Sequence, residues 1–71
     1  MKLSARNVIS GKVVSIRLGA VAASVKVDIG GGHVITSTVT VEAVEDLGLR
    51  EGLECSIVIK SSEVILATDL D

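Results

Sequence analysis

Two short stretches carry the residues best suited to chemistry. Ser4-Ala5-Arg6-Asn7 precedes the first extended segment, and Lys60-Ser61-Ser62 follows a later one. Each joins a cation to short hydroxyl or amide donors at a strand end. Charge-assisted hydrogen bonds to an anion are the strong class, and such donor sets suit an oxyanion. A solvated cation beside turn-forming serines is the commoner arrangement, so the residues alone leave both readings open. Thr40 adds a third element. It stands where a short helix begins, and the free N–H groups of a first helical turn attract anions. A plain N-cap explains Thr40 equally well.

Catalysis finds little support. The chain has one histidine, one cysteine and carboxylates scattered over turns and solvent faces. Cys55 alternates with Leu53 and Ile57 and reads as an inert core thiol, since free cysteine packs as a small hydrophobe. His33 follows three glycines and reads as an exposed loop residue. No nucleophile and base can be paired, so the chain is not expected to be an enzyme. One His and one Cys also fall short of a structural zinc site.

Bulk properties narrow the partners. The net charge is −2 and there is no Phe, Tyr or Trp. Single-stranded nucleic acid is usually held by a positive groove with stacking aromatics, and both are missing. No apolar run approaches the ~20 residues needed to cross a bilayer. The N-terminal residues lack the apolar stretch of a secretory signal, and with a lone cysteine this suggests the cytoplasm. The 71 residues suffice for one domain, residues 1–71, whose core must come from Val, Ile, Leu and Ala. A domain this small buries too little surface to be comfortable alone. Disulfides and a structural metal are ruled out, so a homo-oligomer is expected.

The elements that must position these residues are mostly strands. Val21, Ala23, Val25, Val27 and Ile29 occupy every second position, which places them on one face of a strand. Gly30-Gly31-Gly32 supplies the positive φ of a tight turn, and the β-branched run from His33 to Val39 returns as the second arm of a hairpin. A helix of about two turns follows, with Thr40 as N-cap, Val44 and Leu47 on one face, and Gly48 as C′ residue. Leu53, Cys55, Ile57 and Ile59 alternate again, and residues 64–67 read as a last short strand. The first strand spans residues 7–16 and contains Gly11, a site for a bend or bulge. The expected fold is mainly β: a five-stranded OB-like barrel with one short helix between strands 3 and 4.

The same residues carry a family resemblance. Ser4-Ala5-Arg6-Asn7 with Gly11-Lys12-Val13 resembles the opening of the molbindins. Gly19-Ala20-Val21, Ile35-Thr36-Ser37 and Leu47-Gly48-Leu49-Arg50-Glu51-Gly52 resemble their internal segments, and Lys60-Ser61-Ser62-Glu63-Val64 their closing motif. The similarity runs nearly the whole length in order. The module also resembles the C-terminal domains of molybdate-responsive regulators and molybdate-importer ATPases. Here it carries no helix-turn-helix and no phosphate-binding loop.

The resemblance implies binding of molybdate or tungstate between subunits, in a hexamer built as a trimer of dimers. Ser4, Arg6, Lys60 and Ser61 would form the main oxyanion site. Thr40 would join them, and Asn7 would serve as a ligand or as a brace for the loop. Ala43 replaces a serine ligand found in the regulators, so one hydroxyl is lost. A second site would use backbone N–H groups of Gly19, Ala20 and Val21. The implied role is intracellular storage and homeostasis of the oxyanion. The alternatives are an OB-like assembly module without ligand and a nucleic-acid-binding OB domain.

Overall fold

The computed structural model describes residues 4–69. Four antiparallel strands form one sheet: β1 (Asn7–Leu18), β2 (Ala22–Gly30), β3 (His33–Thr40) and β4 (Glu54–Ile59), in the spatial order β3-β2-β1-β4. Helix α1 (Val41–Leu47) lies between β3 and β4, and a 3-10 turn (Ser61–Glu63) follows β4.

β1 organises the sheet because two strands share it. Its first half, Asn7 to Lys12, pairs with β4, and its second half, Lys12 to Leu18, pairs with β2. A bulge interrupts the β2 pairing between Val13 and Ser15, so the bend falls two to three residues beyond Gly11. Gly11 serves close approach instead. A Cβ there would lie 2.5 Å from Val27 Cγ1 and 2.8 Å from the Asp28 carbonyl oxygen.

The β2–β3 hairpin follows the local chemistry. Gly31 and Gly32 form its two-residue loop with φ of 64° and 81°, the left-handed pair that matches strand twist. Asp28 Oδ1 accepts from the Gly30 N–H at 2.8 Å and secures the irregular register beside the turn. Both ends of α1 are capped as expected. Thr40 Oγ1 accepts from the Ala43 N–H at 2.9 Å. Gly48 takes φ 64°, with Gly48 N–H to Glu45 O at 3.1 Å and Leu49 N–H to Val44 O at 3.0 Å. This is the paired Schellman termination. The helix start is tied to the β1–β2 turn by the Val41 N–H donating to the Val21 carbonyl at 2.8 Å.

The core is thin. Val13, Ala23, Val25, Val27 and Val44 are buried, with Ile16, Val39, Val41, Leu49, Leu53, Cys55 and Ile57 packed around them. The alternating face expected on β2 is present from Ala23 to Val27. Val21 does not belong to it. It is 74% exposed and lies in the turn before β2.

The expected five-stranded barrel is corrected to an open four-stranded sheet. Residues 64–67 have strand-like composition but no ladder partner among the described residues. Strand propensity is local, whereas a strand exists only through its partner, and β3 and β4 remain the two edges of the sheet. The chain presents 5654 Å² of surface, where a compact monomer of this mass would present roughly 4,200 Å². Its radius of gyration is 13.4 Å, against about 11 Å for a compact domain of this length.

Candidate oxyanion site

Antiparallel pairing brings two of the sequence clusters together. Asn7 opposes Ile59 at the last rung of the β1–β4 ladder. Arg6 precedes Asn7 and Lys60 follows Ile59, so the two cations leave neighbouring strands at the same end of the sheet. Paired strands lie about 5 Å apart. Ser4 lies two residues before Arg6, and Ser61 opens the 3-10 turn directly after Lys60. Ser4, Arg6, Lys60 and Ser61 are exposed, and Asn7 is half-buried.

The Asn7 side chain is tied into the ladder. Its Nδ2 donates to the Ile59 carbonyl at 3.2 Å, across 52 residues of sequence. The amide donor is thereby engaged within the ladder. The Arg6 and Lys60 side chains make no hydrogen bond or ion pair with another described residue, nor do those of Ser4 and Ser61. Two cations at one end of the sheet, with no carboxylate paired to them among the described residues, form a local positive focus on a chain of net charge −2. The nearest carboxylate in sequence is Glu63, within the 3-10 turn.

Thr40 lies elsewhere. It pairs with Ala22 at the far end of the sheet, where β1 ends with Leu18 opposite Ala23. The twelve-residue β1 separates the two ends by about 36 Å if straight. Thr40 therefore joins the Gly19-Ala20-Val21 turn and stands far from Arg6 and Lys60 of its own chain. Its oxygen accepts from Ala43, which leaves the hydroxyl hydrogen able to donate outward. The seven-residue α1 adds no anion site of its own. At the turn, the Gly19 N–H is committed to the Ala22 carbonyl at 2.8 Å. That leaves Ala20 and Val21 as the backbone donors of the expected second site. Gly19 itself is required by close approach, since a Cβ would sit 2.8 Å from the Ala22 oxygen.

Neither of two surface recesses includes Arg6 or Lys60. A polar hollow of about 460 Å³ contains Ser10, Lys12, Asp28, Glu54 and Ser56. Lys12 faces Asp28 on one side and Glu54 on the other through the two ladders. This charged row has no local signature, because its members are far apart along the chain. The other recess is an apolar groove of about 530 Å³ between β3 and β4, and half-buried Cys55 lines it. Cys55 is thus a thiol in an apolar setting. His33 is exposed at the start of β3. Among the described residues no group of acidic, His or Cys side chains could hold a metal ion, and no helix is long and apolar enough to cross a membrane.

Residues 3–66 match the TOBE domain family. The chain belongs to that family. Within it, the molbindin resemblance is upheld by the relatives. The TOBE chain is 49% identical over 69 residues to the probable molybdenum-pterin-binding protein of Haemophilus influenzae, covering 97% of this chain and 100% of that protein. Its fold is similar to MopII from Clostridium pasteurianum, with a TM-score of 0.87 at 43% identity, covering 94% of this chain and 100% of the other. It is also similar to the cytoplasmic molybdate-binding protein ModG, solved with molybdate bound. There the TM-score is 0.87 at 52% identity, covering 92% of this chain and 46% of that one. These relatives are named as binding proteins.

Proposed function

We propose that this TOBE chain binds molybdate between subunits of a homo-oligomer and serves as an intracellular oxyanion store. The observation that carries this reading is that Arg6 and Lys60 flank the last rung of the β1–β4 ladder and have no carboxylate partner among the described residues.

The chemistry follows from the ligand. Molybdate is a dianion with four acceptor oxygens and no proton to give at neutral pH, so its site consists of donors. Arg6 contributes a planar fork of N–H groups, Lys60 a mobile ammonium, and Ser4 and Ser61 rotatable hydroxyls. Carboxylates beyond a Debye length of about 8 Å are largely screened at physiological salt. Two unit charges about 4 Å apart at the protein surface interact by roughly 4 kcal/mol. Local donors therefore outweigh the acidic net charge. Tungstate has the same charge and shape and is an alternative load. Sulfate is smaller and is discriminated by cavity size. The chain has no aromatic side chain on which a pterin ring could stack, which favours the bare oxyanion.

The subunit interface is supported by what one chain lacks. Arg6 and Lys60 stand at one end of the sheet and Thr40 at the other. A second copy, placed end to end, supplies Thr40 to the Arg6 cluster. The turn around Ala20 and Val21 belongs to the same end and offers the backbone donors of a second site. Beside the cations, Val8 and Val58 face each other across the ladder and are both exposed. Covering them would shield the site from water and strengthen each charge interaction. The excess surface and thin core point the same way. The molbindin resemblance implies a hexamer, a trimer of dimers, and a cytoplasmic compartment is part of the same reading.

Isothermal titration with molybdate, tungstate, sulfate and phosphate tests this function. Saturable binding of molybdate and tungstate, with sulfate far weaker, is the expected result. No heat with any oxyanion on an intact oligomer would leave an assembly module in its place.

A further inference from the structure

We propose that the outward face of β1 and β2 carries a separate oxyanion site, formed by Ser15, Arg17, Ser24 and Lys26, that takes the phosphate group of a phosphomonoester. None of these residues belongs to the Arg6–Lys60 cluster, so the site is independent of the load carried there.

The bulge in β1 creates the site. Val13 is buried, and simple alternation would put Ser15 and Arg17 on the same inward face. The bulge between Val13 and Ser15 adds one residue and reverses that parity. Ser15 therefore opposes Lys26, Ile16 opposes the buried Val25, and Arg17 opposes Ser24. The four polar residues form a quadrilateral on the outward face, with the cations on one diagonal and the hydroxyls on the other. Directly opposed Cβ atoms lie about 4.5–5.5 Å apart and diagonal neighbours about 7–8 Å. Both long cationic side chains can thus reach one anion. Arg17 and Lys26 are exposed, and Ser15 and Ser24 are half-buried.

The charges around the quadrilateral are one-sided. Opposite charges across a ladder stabilise a sheet, and Lys12, in the next row, has Asp28 on one side and Glu54 on the other. Arg17 and Lys26 face only hydroxyls. The row of Arg17 continues through Ser24 to Thr38, and the row of Lys26 runs from Ser15 to Thr36. Arg17 makes no hydrogen bond or ion pair with a described residue. Lys26 Nζ donates to Thr36 Oγ1 at 3.0 Å. That partner is neutral, so the ammonium charge is not offset, and two of its donors are left over. The flexible stem lets Lys26 turn from Thr36 toward an anion beside Arg17.

A sheet face supplies donors from one side only. It can hold three oxygens of a tetrahedral anion and leaves the fourth directed at solvent, where a phosphomonoester carries its substituent. A free tetra-oxo anion is better served by donors on all sides, as two subunits would provide.

Amide correlation spectra of the full chain, titrated with methyl phosphate and with inorganic phosphate at fixed ionic strength, test the site. We expect saturable shifts at Ser15, Arg17, Ser24 and Lys26 with both probes, and affinities within a few-fold of each other. Arg17→Gln/Lys26→Gln should weaken both on the order of tenfold or more, with the dispersion of the spectrum retained. Lys12→Gln, which removes a cation one row away, should leave binding unchanged. Arg6→Ala should leave the shifts at these four residues as they are in the parent, which separates this site from the interface site. Methyl phosphate binding far more weakly than inorganic phosphate would mean a closed site for the free ion and would overturn the assignment to a phosphomonoester. Shifts centred on Arg6 and Lys60, shifts that do not saturate, or an equal loss in Lys12→Gln and the double variant would each overturn the site itself.

Discussion

Asn7 and Ile59 face each other at the last rung of the β1–β4 ladder, and Asn7 Nδ2 donates to the Ile59 carbonyl at 3.2 Å. This bond joins the two strands at the rung from which Arg6 and Lys60 depart. A half-buried hydrogen bond contributes about 0.5–1.5 kcal/mol. Asn7→Ala should therefore lower stability by about 1 kcal/mol. It should weaken molybdate binding several-fold without removing it. Paired denaturation and calorimetric titrations measure both. A loss of binding as large as that of Arg6→Ala would make Asn7 a ligand and not a brace.

Arg6→Ala should cost more affinity and little stability, because the side chain is exposed and makes no hydrogen bond or ion pair with a described residue. A charge-assisted bond contributes about 1.5–3 kcal/mol, so affinity should fall on the order of 10- to 100-fold. Arg6→Lys should recover part of this, since it restores the charge but not the planar fork. Titration of the three proteins, with folding followed by circular dichroism, gives the comparison. Equal affinity in all three would remove Arg6 from the site.

Thr40 separates capping from binding. Its oxygen caps α1 through the Ala43 N–H, and Asp is as good an N-cap as Thr. Thr40→Asp should keep the helix and the stability of the chain. It should also abolish molybdate binding, because a carboxylate would face the dianion across the interface. Thr40→Ala should lose about 1 kcal/mol of stability and only part of the affinity. If Thr40→Asp bound molybdate as well as the parent, Thr40 would be a cap and nothing more.

Gly11 tests the packing that curves β1 over the core. A Cβ at this position meets Val27 Cγ1 at 2.5 Å, the Asp28 oxygen at 2.8 Å and Ile29 Cγ2 at 3.2 Å. Gly11→Ala should destabilise the chain by about 1–3 kcal/mol, the usual cost of overpacking. Chemical denaturation reads this directly. A neutral effect would show that β2 yields freely at that point.

The legible parts of the sequence were the local ones. Thr40 and Gly48 marked the ends of α1 because caps act within a few residues. The glycines at 30–32 marked the hairpin because only left-handed φ closes it. The alternation of Ala23, Val25 and Val27 marked the core face of β2. Each signal is complete within a dozen residues. Other features depend on partners that the local pattern does not name. Residues 64–67 have the composition of a strand but no ladder partner among the described residues. Val21 continues the alternation of β2 yet falls in the turn before it. The separation of Thr40 from Arg6 follows from ladder register, which is set by contacts as distant as Asn7 with Ile59. The proposed grouping of Thr40 with Arg6 therefore requires two chains.

The central claim is that one oxyanion is held by opposite ends of two subunits. Crystals grown with tungstate, measured at the tungsten absorption edge, locate the anion independently of any assumption about the protein. We expect the strongest anomalous peaks beside Arg6 and Lys60 of one subunit, with Thr40 of another subunit within hydrogen-bonding reach. A tungsten peak bound wholly within one chain, or one remote from Arg6 and Lys60, would contradict it.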